Sequence, residues 1–205
     1  MKRKLFSIIL AAIFVISLVG CSSAKPEDTV DVFLKNTQEL NLEKMAESMN
    51  PDLKDSFDEI TSEESDDSLS DYLDYFRKNA AKMTYEIKGA EVDGDSAVVT
   101  VDFKYVDGTD VLEDAFAKAF EEAISQAFAG KEMSEDEIED LFIETLNSSE
   151  SEGKETFATK TVKIDCGKKD NKWYIDDLDE DFFDVIFCNY LSSMDEIDKN
   201  LDELE

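Results

Sequence analysis

Ala97, Val99, Val101, Phe103 and Tyr105 alternate with Thr100, Asp102 and Lys104. A period of two commits this stretch to a strand with one apolar and one polar face. A one-sided strand needs neighbours of the same pattern and a cover for its apolar side. Met83, Tyr85 and Ile87 supply one neighbour, with Thr84, Glu86 and Lys88 on the other face. The apolar parity then shifts to Ala90 and Val92, which predicts a bulge at Gly89, and Asp93-Gly94 is a hairpin turn. Asp107-Gly108 ends the second strand. A third strand carries Val162, Ile164 and Cys166, and residues 167–171 turn it into a fourth with Trp173 and Ile175 facing inward.

Helical periods surround these hairpins. Pro26 occupies a first helical position, Glu27 and Asp28 follow in the first turn, and Val30, Phe33, Leu34 and Thr37 recur along one face until Leu40 closes the segment. Asn41 caps a short second helix with Leu42, Met45 and Met49, which Asn50-Pro51 interrupts. Residues 61–70, rich in Ser, Asp and Glu, read as a loop, and Tyr72, Leu73, Tyr75, Phe76 and Ala80 mark a third helix. Leu112, Phe116, Phe120, Ile124 and Phe128 repeat every four positions until Gly130 stops the helix. Ser134-Glu135-Asp136-Glu137 is a capping box for a helix carrying Ile138, Leu141, Phe142 and Thr145, with a loop over 147–154. A last apolar helix holds Phe182, Phe183, Val185, Ile186 and Tyr190. The expected fold is α+β: N-terminal helices packed on a curved antiparallel sheet of about four strands, a helical insertion at 111–147 between the hairpins, and a C-terminal helix. Residues 26–190 form one domain and 191–205 an acidic helix or tail.

The N-terminus has a separate character. Lys2, Arg3 and Lys4 precede an apolar run over 5–18, broken only by Ser7 and Ser17. That run falls short of the roughly 20 residues of a spanning helix and matches the apolar region of a signal peptide. Leu18-Val19-Gly20-Cys21 resembles the Leu-x-Gly-Cys box of bacterial lipoproteins. The resemblance implies that residues 1–20 are removed and that Cys21 receives a diacylglyceryl group. Cys21 would then be the new N-terminus, joined to the domain by a short linker over 21–25. Acyl chains such as palmitate would hold the protein on the outer face of the cell membrane, in the manner of Gram-positive surface lipoproteins. The competing reading is an uncleaved anchor helix with an incidental cysteine.

Composition narrows the functions. Loss of residues 1–20 removes three cations and no acids, so the net charge of -30 becomes -33. That balance excludes nucleic acid, whose phosphates require Lys and Arg, and disfavours lying flat on an anionic leaflet. Hydrophobic residues make up 42% of the chain, too many for a disordered acidic tail. The absence of histidine removes Ser-His-Asp, Cys-His and His-bearing zinc sites. With Cys21 acylated, Cys166 and Cys188 remain, either as one disulfide stabilising by about 3 kcal/mol or as two buried thiols.

The opening helix at 26–34, the hairpins, and the closing Asp170-Asn171-Lys172-Trp173-Tyr174-Ile175-Asp176 strand resemble the cystatin-like roll of the nuclear transport factor two superfamily, over roughly 26–178. Such rolls hold ligands, or an acid–base Asp, in an apolar cone. Here the insertion and the helix after the fourth strand depart from that plan, and either is placed to plug or cap the cone. Asp102, Asp165 and Asp176 are the strand acids an enzyme reading would use, although Asp102 and Asp165 have the wrong parity for the apolar face. Asp177, Asp179 and Asp181 alternate like calcium-loop ligands, but Phe182 and Cys188 stand where the loop requires Gly and Glu, so helix-start chemistry explains them. Asp93, Asp95, Asp107 and Asp110 are turn residues. Phe116, Phe120, Ile124 and Phe128 form either core or an apolar binding face, since a four-residue repeat drifts round the helix. The resulting expectation is a membrane-anchored, non-catalytic module without metal or cofactor, binding a small ligand or an envelope protein. A cone-carboxylate enzyme, isomerase-like or hydrolase-like, and an acidic docking protein for a cationic envelope partner are the alternatives.

Overall fold

The computed structural model describes residues 24–51, 53–54, 67–151 and 155–202. The lipobox and Cys21 lie outside the described residues. Four strands, β1 (Thr84–Asp93), β2 (Ser96–Asp107), β3 (Thr156–Lys169) and β4 (Lys172–Asp177), form one antiparallel sheet in the order β1-β2-β3-β4. The alternation that defines β2 appears directly as burial, with Ala97, Val99, Val101, Phe103 and Tyr105 all inside. The β1–β2 register slips between Ile87 and Gly89, and Gly89 has a φ of 143°, which a side chain would rarely adopt. A second slip separates Asp165 from Cys166, so the sheet bends at both hairpins. The expected turn over 167–171 is shorter than read. β3 continues to Lys169, and only Asp170 and Asn171 turn, both with positive φ (51° and 67°), as a two-residue hairpin requires.

Helices α1 (Pro26–Gln38), α3 (Asp67–Ala80) and α6 (Glu180–Ile186) cover the apolar face. Val30, Phe33 and Leu34 of α1 are fully buried, and Phe33 meets Phe182 of α6 at 5.4 Å between ring centroids. Phe182 also packs edge-on to Phe103 of β2, so one ring links both covering helices to the sheet. Each such phenylalanine contributes about 2–3 kcal/mol by burial. The short α2 (Leu42–Ala46) starts on Asn41, whose Oδ1 accepts the Lys44 N–H at 3.1 Å. Beyond α2 the chain runs beside β4: the Ile175 N–H donates to the Ser48 carbonyl at 2.8 Å and the Asn50 N–H to the Ile175 carbonyl at 2.9 Å. That pairing covers a sheet edge.

Helices α4 (Thr109–Phe128) and α5 (Glu135–Ser151) form the insertion, an antiparallel pair joined at Gly130, whose φ is 75°. They pack on each other, with α5 against α3 and α4 against α7 (Tyr190–Asp202). Leu112, Ala115 and Leu146 reach the core, but the sheet's apolar face is closed by α1, α3 and α6 rather than by the insertion. Four expected boundaries move. α2 stops at Ala46, before Met49, which bridges to Ile175 instead. α3 begins at Asp67, inside the stretch read as loop; α5 runs to Ser151, past the expected end at 147; and the last apolar helix is two helices. Phe187 closes α6, and Cys188 and Asn189 adopt left-handed φ values of 56° and 66° before α7 starts. No glycine or proline marks that break, so the apolar period alone reads through it.

Cys166 and Cys188 are buried thiols and do not bridge. Cys166 pairs with Ala97 at one end of β2, whereas the Cys188 carbonyl accepts the Gly108 N–H beyond the other end. The strand between them spans about 30 Å, and a disulfide needs Cα atoms within about 7 Å. Burial, with Asp176, Asp165 and Glu27 adding to it, pushes the Cys166 thiol up to about 12.

Candidate functional site

A polar junction sets where the insertion leaves the sheet. Asp107, at the end of β2, accepts the Thr109 hydroxyl at 2.8 Å, the Thr109 N–H at 3.2 Å and the Asn189 amide at 2.9 Å on Oδ1. Asn189 in turn accepts the Tyr105 hydroxyl at 2.7 Å. Burial pushes the Asp107 carboxyl up, but the bonds from Thr109 and Asn189 outweigh it and hold the group below the usual carboxylate range. Gly108 sits between these groups, and a Cβ there would lie 2.8 Å from Cys188 Cβ and 2.9 Å from the Cys188 carbonyl oxygen. Neither atom belongs to a flexible side-chain end. Gly108→Ala is therefore expected to cost about 2 kcal/mol by overpacking, read as a lowered urea midpoint; an unchanged midpoint would contradict this packing.

Asp184 anchors the start of α7. Its side chain is almost fully enclosed, with 3% of the residue exposed. Oδ1 accepts the Ser192 N–H at 3.0 Å, and Oδ2 accepts the Ser192 hydroxyl and Lys160 Nζ, the latter at 3.1 Å. Lys160 also reaches Asp181 Oδ1 at 2.8 Å. Burial raises the Asp184 carboxyl, yet the bonds from Ser192 and Lys160 and the lysine charge leave it lowered overall. The carboxylate thus works as a cap for α7, supplied from α6, and it is kept ionised.

With α4 and α7 placed in this way, an open groove of about 370 Å³ lies between α4, α5 and α7. Phe116, Ala119, Phe120 and Ala123 of α4 face Glu135, Ile138, Glu139 and Phe142 of α5, with Tyr190 and Met194 of α7 alongside. The two alanines leave the space, and the Phe116 and Phe120 rings stack at 6.2 Å to form one wall. A four-residue repeat advances about 40° per step on a helix of 3.6 residues per turn. Leu112 is therefore buried, Phe116 half-buried, Phe120 50% exposed and Phe128 91% exposed, with Ile124 also outside. The stripe begins as core and ends as surface. A second depression, of about 410 Å³, lies over β1, β2 and β3 and includes Glu86, Asp102, Lys104 and Thr161. Its polar groups pair with one another: Lys88 with Glu86 on the same strand and with Asp102 across β1 and β2, and the Thr161 hydroxyl on Asp102 at 2.6 Å.

Residues 23–187 match the model of DUF5105, a domain of unknown function. The chain belongs to that family. It is also similar to the crystal structure of a candidate lipoprotein, ycdA, from Bacillus subtilis subsp. subtilis str. 168, at 15% identity and a TM-score of 0.39, over 80% of this chain and 46% of that one. The chain thus spans about half the length of that structure. No curated protein matches it.

The strand acids of this DUF5105 chain do not converge on a cavity. Asp102 is engaged as above; Asp165 is exposed opposite Val98; Asp176 is exposed and accepts the Asn50 amide at 2.8 Å. The alternating acids before α6 have separate tasks. Asp177 accepts the Leu178 N–H, Asp179 caps α6 through the Phe182 N–H, both at 2.9 Å, and Asp181 pairs with Lys160. No group of three metal-ligating side chains occurs among the described residues. Sequence reading passed over Asp184, the one enclosed carboxylate among the described residues. Its signal was there: a lone acid inside the apolar run Phe182-Phe183-Asp184-Val185-Ile186.

Proposed function

We propose that this DUF5105 protein is an extracytoplasmic lipoprotein, anchored through acyl chains on Cys21, and that the groove between α4, α5 and α7 binds an apolar partner surface without catalysis. The lipobox at Leu18-Val19-Gly20-Cys21 supports the anchor. No described helix is long and apolar enough to cross a membrane. The bulged antiparallel sheet with α1 laid on it supports reading the scaffold as a cystatin-like roll whose cone is filled by α1, α3 and α6. Binding has therefore moved from the cone to the insertion. The observation that carries the binding role is Phe120: a large aromatic ring left 50% exposed at the wall of an apolar groove, where burial elsewhere would be favourable. The enclosed Asp184 is held ionised by Lys160 and Ser192, which does not suit an acid–base group at neutral pH.

The neutral apolar dye Nile red tests the groove. Its emission is expected to rise on mixing with the protein, and Phe120→Ser is expected to weaken that response about tenfold, a typical loss for an aromatic anchor. Because Phe120 stands outside the core, the variant should keep its unfolding midpoint. A dye response indifferent to Phe120→Ser would remove the groove from the account.

A further inference from the structure

We propose that the occupant of this groove is a cationic amphipathic helix of a partner protein; the inference rests on the groove reading above and names its ligand. The shape comes from the stripe. Phe116 to Phe128 spans about 18 Å at 1.5 Å per residue, the length of three helical turns, and continues past the groove through the exposed Ile124 and Phe128. A helix laid in the groove would insert side chains above Ala119 and Ala123 and pass beside Ile124, at the i, i+3, i+4 spacing of helix-in-groove recognition, while Phe128, turned about 120° from Phe116, lies off this line.

The sign of the partner comes from the rim. Glu135 and Glu139 are the charged residues lining the groove, and α5 has acids throughout and neither Lys nor Arg. On α4, Lys118 lies about half a turn away from the face that carries Phe116 and Phe120. Lysines or arginines flanking the partner's apolar stripe would meet Glu135 and Glu139, whereas a fatty acid carboxylate or an anionic lipid headgroup would be repelled. A second copy of this chain would bring the same acidic α5 against itself, and each copy carries a large negative charge.

The test uses the chain from Cys21 onward with Cys21→Ser, which keeps the whole of α1 and every residue of the packed core. Calorimetry compares four probes: a helical leucine–lysine peptide with an apolar stripe, the same composition scrambled, a leucine–glutamate peptide of the same pattern, and phosphatidylcholine vesicles. The patterned leucine–lysine peptide is expected to bind at least about tenfold tighter than its scrambled form, because the stripe must fit as well as the charge. Phe120→Ser should reduce that affinity about tenfold, and Glu135→Gln with Glu139→Gln should reduce it similarly at low salt and flatten its salt dependence. Equal binding of the scrambled peptide would overturn the proposal, leaving only attraction to a negative protein. So would equal or tighter binding of the leucine–glutamate peptide or the vesicles, or a dimer in sedimentation that Phe120→Ser dissolves. If the dye still answers to Phe120→Ser in those cases, the groove stands and its cationic partner does not. Loss of the dye effect as well removes both.

Discussion

Asp184→Asn should lower the unfolding free energy by about 3 kcal/mol at pH 7, close to the cost of breaking an enclosed ion pair by removing one partner. The residue is 3% exposed, and its carboxylate takes bonds from the Ser192 N–H, the Ser192 hydroxyl and Lys160 Nζ. An asparagine keeps one acceptor but turns an amide donor toward the hydroxyl or the lysine, and removes the charge that Lys160 faces. Three helices and a strand then lose their common tie, because Asp184 belongs to α6, Ser192 to α7, Lys160 to β3, and α4 packs against α7. The pH dependence carries the same signature. The Asp184 and Asp107 carboxyls lie lower in the folded chain than when unfolded. Their stabilisation is complete above the unfolded value of about 4 and is lost as pH falls through the lower folded values. Urea midpoints measured from pH 7 down to pH 3 should therefore fall in the wild type and fall less in Asp184→Asn. A variant with the wild-type midpoint and the wild-type acid slope would show that this network contributes nothing.

An equally large effect is expected at the other end of the chain. Mass analysis of the protein extracted from membranes should find a species that starts at Cys21 and carries acyl mass. Cys21→Ser should leave residues 1–20 attached and the acyl mass absent, because the thiol is the atom modified. Export of residues 22–205 behind an ordinary secretory signal should move the protein from the membrane pellet to the supernatant almost completely. The reason is energetic. Each buried methylene contributes about 0.8 kcal/mol, so two or three chains hold firmly, while an acidic domain is repelled by an anionic leaflet. An unmodified species beginning before Cys21 would defeat the anchor, and a truncated form that still pellets would show a second membrane contact.

The architecture was legible wherever the signal was local. The alternation of Ala97 to Tyr105, the bulge at Gly89, the Asn41 cap and the Ser134–Glu137 capping box depend on neighbours a few residues away, and each lies where its pattern places it. The reading was weakest where distant residues decide. Nothing within the run from Phe182 to Tyr190 breaks a helix by composition. The left-handed Cys188 and Asn189 are held by Gly108 N–H, Tyr105 and Asp107, more than 80 residues away in sequence for the two side chains. Asp184 is hidden for a related reason, since its carboxylate is bonded by Lys160 of β3 and Ser192 of α7 rather than within its own helix.

The candidate site divides along that line. From the sequence alone it follows that α4 carries an apolar stripe drifting about 40° per repeat, that the surface is strongly acidic, and that no histidine chemistry is available. Only the tertiary structure decides which end of the stripe is core and which is surface. That choice is made at the Gly108–Cys188 contact and the Asp107–Asn189 bond, which fix the angle at which α4 leaves β2 and the position of α7 beside it. A helix specifies its own faces through its period, but what each face meets depends on contacts made by residues far along the chain.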